Sequence, residues 1–217
     1  MGFMDTVRAI FGNSAEHDAS READPEDLFG MSTAYMTMEA NLGYPNEGAA
    51  ALCFSSVDST DFEDTLREVR DILEAGEAET GTSASIEMDQ QGYHWVVLED
   101  SDPEDLVTSI HFAADTFIER GYGSRLLAAL FAFEKSDGPQ GRRGEGGETA
   151  GAGGHVYWVY SFRRGAYYPF APERGRERDQ SAEFKLQSVL DGELGVEEDE
   201  SYWYPLWPES SKKHPWE

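Results

Sequence analysis

The sequence predicts an α+β fold, a mostly antiparallel sheet with helices packed on it. Three observations carry this. Between residues 49 and 133, segments of strand period and helix period follow one another in the order β-α-β-β-α-β. Two helix starts use the same five residues, Asp24-Pro25-Glu26-Asp27-Leu28 and Asp102-Pro103-Glu104-Asp105-Leu106. Each offers an Asp cap, Pro at the first helical position and acids in the first turn. After residue 154, a hairpin and one more helix complete the pattern. At 217 residues the chain has ample length for a core.

The elements are justified in order. In residues 1–12, Phe3, Val7, Ile10 and Phe11 fall on one face of a short helix that Gly12 would end. Residues 13–24 are polar and patternless, a flexible tether, so residues 1–24 form an N-terminal appendage to one α+β domain over 25–217. Tyr35, Met38 and Leu42 stand at helical spacing within 31–42. Residues 49–57 form a buried strand. Thr60-Asp61-Phe62-Glu63 reads as a capping box, and Phe62, Leu66, Val69 and Leu73 as the stripe of a helix stopped near Gly76. Residues 83–88 and 93–98 are two strands around a turn at Gln90-Gln91-Gly92. Leu106, Ile110, Ala113 and Phe117 line the next helix, which Gly121 ends. The repeated pentad is reused capping chemistry rather than a duplicated domain, because the flanks differ.

Residues 126–133 are an apolar run of strand length. Residues 137–154 hold eight Gly and are expected to form a disordered loop. In 155–162, Val156, Trp158, Tyr160 and Phe162 share a face. Arg163-Arg164-Gly165 turns the chain into 167–170, and Asp179 caps a helix bearing Phe184, Leu186, Val189 and Leu190. The tail Tyr202-Trp203-Tyr204-Pro205-Leu206-Trp207 is too aromatic to stay in water and should pack back on the body. The β-α-β-β-α-β order is the split pattern of ferredoxin-like folds. An alternative drops the first strand and gives a secretion-chaperone-like α-ββ-α-βββ-α.

Composition bounds the function. The chain carries 43 Asp+Glu against 17 Lys+Arg, a formal charge of −26, and only 4 of the basic residues are Lys. This is the balance of a protein from a salt-accumulating halophile, where a Debye length of about 3 Å in molar salt screens self-repulsion. General nucleic-acid binding needs a basic footprint and is not expected. The longest apolar run has eight residues, against the roughly 20 of a membrane span. No basic and apolar leader pattern opens the chain, so a secretory signal is not expected. One Cys suits a reducing cytoplasm and forms neither an intramolecular disulfide nor a multi-Cys zinc site.

Candidate chemistry is sparse. Cys53 lies in a buried strand and is expected to be a core residue. His111 and Asp115 have metal-ligand spacing on a helix, but no third ligand is visible. No metal, cofactor or catalytic constellation is expected, and phosphate-loop, dinucleotide and nucleophile-elbow motifs are absent from the sequence. Two features remain. The N-terminal face of Phe3, Val7, Ile10 and Phe11 suits a membrane surface or a partner helix. Residues 140–185 hold eight Lys+Arg against six Asp+Glu, a net of +2, so the rest of the chain carries −28. Within them, Arg163, Arg164 and Arg178 bracket Tyr167, Tyr168 and Phe170, the residue types of interface hot spots.

An ordered set of segments is familiar. Gly92-Tyr93-His94-Trp95-Val96-Val97-Leu98, Glu104-Asp105-Leu106-Val107, Arg164-Gly165-Ala166-Tyr167-Tyr168-Pro169-Phe170-Ala171-Pro172, Arg178-Asp179 with Glu183 and Leu186, and Tyr204-Pro205-Leu206-Trp207 together resemble the PspAB family. These are PspA-associated proteins of actinobacteria and haloarchaea. The Gly-rich insert at 137–154 departs from the family pattern. The resemblance implies a cytosolic accessory in a phage-shock-type envelope stress response. Its implied partners are PspA-like membrane-remodelling proteins and membrane metallopeptidases of the HtpX type, and it implies no catalytic residues. The first expectation is therefore a non-enzymatic adaptor or regulator that binds a protein partner, with peripheral contact at the membrane surface. The alternative is a small-molecule or peptide sensor whose sheet face holds a ligand. An enzyme ranks last.

Overall fold

A computed structural model describes residues 23–89, 91–135, 154–208 and 213–217. The expected N-terminal helix, the tether up to residue 22 and the Gly-rich stretch up to residue 153 lie outside the described residues.

Local chemistry sets the elements. The Asp24 side chain accepts from Glu26 N and opens a 3-10 turn, Pro25–Phe29. The turn runs into helix α1 (Gly30–Thr37) and a π-helical turn, Met38–Leu42. Strand β1 (Asn46–Phe54) follows, then α2 (Thr60–Thr80), β2 (Ser83–Met88) and β3 (His94–Glu99). Helix α3 (Pro103–Glu119) starts as the pentad dictates, with the Asp102 side chain accepting from Glu104 N. Strands β4 (Leu126–Glu134), β5 (His155–Ser161) and β6 (Ala166–Phe170) complete the main sheet. A small ribbon of β7 (Pro172–Glu173) and β8 (Glu177–Arg178) leads into α4 (Gln180–Leu190).

Three local expectations are corrected. Helix α2 is capped by Ser59, whose side chain accepts from Phe62 N, and not by Thr60. It runs through Gly76 to Thr80, because a lone Gly costs a helix only about 1 kcal/mol. Gly81 stops it with φ 89°, a conformation that glycine adopts without strain. In α4, Leu186 and Leu190 are buried but Phe184 is 67% exposed, and Glu183 takes an interior place instead.

The six-stranded sheet has the order β2-β3-β1-β4-β5-β6, and every neighbouring pair is antiparallel. Its first four strands follow the split β-α-β arrangement, with β3 inserted between β1 and β2. Strand β1 is central, with Ala51 opposite Val97 on one side and Leu130 on the other, so the alternative without a first strand is set aside.

Both sheet faces are covered. On one, Leu52, Phe54, Val96, Phe131, Trp158 and Tyr160 pack in one cluster with Phe62 and Val69 of α2 and Ile110 and Phe117 of α3. On the other, Ala51, Cys53, Trp95, Leu130, Tyr157, Val159, Tyr168 and Phe170 cluster with Trp203 and Trp216. The aromatic tail thus packs back on the body, as its composition demands. Two-sided burial also explains the unbroken apolar run of β4, since both alternating sets of side chains need an apolar environment.

Candidate functional site

The Arg-aromatic segment is where the sequence reading concentrated, and the structure turns it inward. Gly165, at φ 59°, closes the β5–β6 turn, and Ser161 O accepts from Arg164 N (3.1 Å) and Gly165 N (2.8 Å). This aims Arg164 at the segment after α4. The residue is 4% exposed, its Nε donates to Glu197 Oε2 at 2.7 Å, and its guanidinium lies 3.7 Å over the Tyr202 ring. Glu197 Oε1 accepts from Asp199 N at 3.1 Å, so both carboxylate oxygens are engaged.

The neighbouring residues follow the same pattern. Tyr167, Tyr168 and Phe170 are buried. Tyr167 OH donates to Asp27 O (3.2 Å), Tyr168 OH donates to Tyr204 O (3.1 Å), and the Phe170 ring packs edge-on against Trp207. Arg178 donates from Nε to Glu183 Oε1 (2.8 Å) and from Nη1 to Trp203 O (3.0 Å). Glu183 Oε1 also accepts from Ala171 N at 2.9 Å. Half-buried Arg163 donates to Ser124 O at 3.0 Å. The expectation of exposure at this surface is corrected for Arg164, Tyr167, Tyr168 and Phe170, which are buried, while Arg163 and Arg178 are partly buried. Glu197 and Glu183 match the guanidinium groups of Arg164 and Arg178, the chain's own tail packs on Tyr168 and Phe170, and Tyr167 packs on the opposite sheet face. The other proposed contact, Phe3, Val7, Ile10 and Phe11, lies outside the described residues.

A second cluster ties the C-terminal segment to the sheet, and the sequence reading missed it. Glu47, its side chain 3% exposed, accepts from His155 Nδ1 at 3.0 Å and pairs with Lys213 Nζ at 2.5 Å. His214 Nε2 stands 3.7 Å from the same carboxylate, and its Nδ1 lies 3.0 Å from Tyr157 OH. Glu217 Oε2 accepts from Lys213 N and His214 N, and the His214 ring stacks on Trp216 at 4.4 Å. Burial raises the Glu47 pKa, but hydrogen bonds from His155 and Lys213, with the charges of His155 and His214, outweigh it. The result lies below the usual carboxylate value. Burial lowers the His214 pKa, with Lys213 and His155 acting alongside it against the pull of Glu47 and Glu217.

These shifts set a pH dependence of one sign. Each group's folded pKa is depressed, so its contribution is present above the unfolded value and is lost as pH falls. As pH falls, the contribution of His214 is lost before that of Glu47. Amide exchange of residues 213–217, corrected for intrinsic rate, should therefore be faster at acid than at neutral pH. Glu47→Gln should raise it at both. Protection independent of pH would refute the latch.

The remaining groups offer little chemistry. Burial, with Asp89 nearby, holds the Cys53 thiol well above its ordinary pKa, which disfavours a thiolate nucleophile. His111 Nε2 lies 3.3 Å from Glu26 Oε1 and its ring packs on Phe29. Among the described residues no cluster of three or more His, Cys, Asp or Glu has metal-binding geometry. A cleft of about 570 Å³ between α2 and the end of α3 is lined by Asp61, Asp64, Arg67, Glu68, Arg120 and Tyr122, among others, a polar and open concavity. No helix among the described residues is long and apolar enough to cross a membrane. A family model described as PspA associated protein B matches residues 1–216. No curated protein and no solved structure matches the chain.

Proposed function

The chain belongs to the PspA associated protein B family, and from that membership we propose a non-enzymatic accessory of a phage-shock-type envelope stress response that acts by binding a PspA-like protein at the cytoplasmic membrane surface. The match over residues 1–216 is the observation that carries this reading. The packing supports an adaptor over a ligand sensor. One sheet face is filled by helices and the other by the chain's own tail, so the face a sensor would offer to a ligand is occupied by protein. A membrane metallopeptidase of the HtpX type is the second candidate partner. Phe3, Val7, Ile10 and Phe11 are the proposed membrane contact, and the charge of −26 suits a salt-rich cytoplasm.

The test is co-expression of the tagged chain with the PspA-like protein of the same cell, and purification at high salt. A complex of defined stoichiometry is expected. Deleting residues 1–11 should move that complex out of the membrane fraction without dissolving it. Failure to form a complex with the PspA-like protein refutes the reading.

A further inference from the structure

The two edges of the main sheet are treated differently. At β6, a parallel bridge joins Tyr167 to Val196: Tyr167 N donates to Gly195 O and Glu197 N donates to Tyr167 O, both at 2.8 Å. Arg164 fixes that segment further through Glu197. At β2, no described residue pairs with the outer edge. The strand is regular, with six consecutive pairs to β3 from Ser83–Glu99 to Met88–His94 and no register shift. An antiparallel edge strand keeps a row of backbone N–H and C=O groups facing outward, and sheets commonly guard such a row with Lys, Pro or a bulge. Ser-Ala-Ser-Ile-Glu-Met contains no Lys and no Pro, Glu87 is its one charged residue, and its pairing with β3 has no bulge.

Side chains and charge indicate what would add there. Ala84 and Ile86 are partly buried on the helix side, Ser83, Ser85 and Glu87 are exposed, and Met88 is 67% exposed. From residue 71 to 89 the chain carries Asp71, Glu74, Glu77, Glu79, Glu87 and Asp89 with no Lys or Arg. Pairing of two copies along this edge would bring two such acidic stretches together. An extended segment bearing Lys or Arg would meet opposite charge.

We propose that the outer edge of β2 is a strand-addition site for an extended, basic segment of a partner protein. Main-chain hydrogen bonds would supply the pairing, and the partner's Lys or Arg side chains would face the acids of 71–89. The proposal rests on the adaptor reading and names the surface that reading lacks.

The probe is a short labelled peptide alternating valine and lysine, followed by fluorescence anisotropy with the full chain. Two controls use the same peptide, one with alternate backbone nitrogens methylated and one with glutamate in place of lysine. Both controls are expected to bind about tenfold more weakly or worse. Ser85→Lys, at an exposed position, is expected to lose about tenfold in affinity for the valine–lysine peptide with its melting temperature unchanged. Equal binding of the methylated peptide overturns strand addition in favour of simple charge attraction. No binding of the valine–lysine peptide, or a dimer in light scattering that Ser85→Lys abolishes, also overturns it. The two readings separate on capture of the PspA-like protein. Full capture by Ser85→Lys removes the edge and leaves the adaptor. Peptide binding without capture by the wild type leaves the edge and removes that partner.

Discussion

Arg164→Ala is expected to be among the most damaging single substitutions in the chain, costing about 3–5 kcal/mol. It leaves the Glu197 carboxylate, 6% exposed, without the cation 2.7 Å away, and removes the guanidinium stacked on Tyr202. At roughly 2–4 °C per kcal/mol for a chain of this size, the melting temperature should fall by about 6–20 °C. Arg164→Lys should recover little, since an ammonium reproduces neither the planar fork nor the stacking. Replacing both partners with Met should recover much of the loss, because the uncompensated charge disappears with its partner. Thermal melts at constant high salt measure this. A shift of less than about 2 °C for Arg164→Ala would mean that Glu197 finds water or another donor, and the buried pair would lose its assigned role.

Trp203→Ala should cost a similar amount, about 3–5 kcal/mol, through a different route. Trp203 is the buried ring of the tail on the far sheet face, its indole donates to Glu197 O at 2.8 Å, and its own carbonyl accepts from Arg178. Truncating it opens a void in the far-face cluster that holds Tyr168 and Phe170, so binding of a hydrophobic dye should rise together with the loss of stability. Both substitutions act on the contacts of Glu197, so their costs should not add. An unchanged melting temperature with no dye binding would show that the tail covers the sheet without stabilising it.

Most of the elements are legible in the sequence because their signals are local. Phe62, Val69 and Leu73 recur at helical spacing and are the buried apolar residues of α2, and Asp102-Pro103 starts α3 through contacts two residues away. The unbroken run of β4 and the aromatics of 202–207 each require a covering layer, and each supplies part of the other's. The burial of Arg164, Tyr167, Tyr168 and Phe170 is not legible in the sequence because residue type does not say which side of a surface a group occupies. Arg and Tyr make an interface hot spot when a partner supplies the carboxylate, and a closed interior when Glu197, 33 positions along, supplies it. Glu47 was invisible for a related reason. In a chain with 43 acidic residues, one carboxylate carries no mark until His155, Lys213 and His214 are folded onto it.

The far face of the sheet carries small residues at Ala49, Ala51, Cys53, Ala128 and Ala132, in one cluster with Trp203 and Trp216. The single cysteine of the chain is among them. Cys53 is 1% exposed there, so a thiol reagent reaches it only through an opening of that cluster, and the raised thiol pKa keeps background reaction slow. The chain therefore contains its own chronometer: alkylation of one sulfur counts openings of the far face, with no label added and no residue changed.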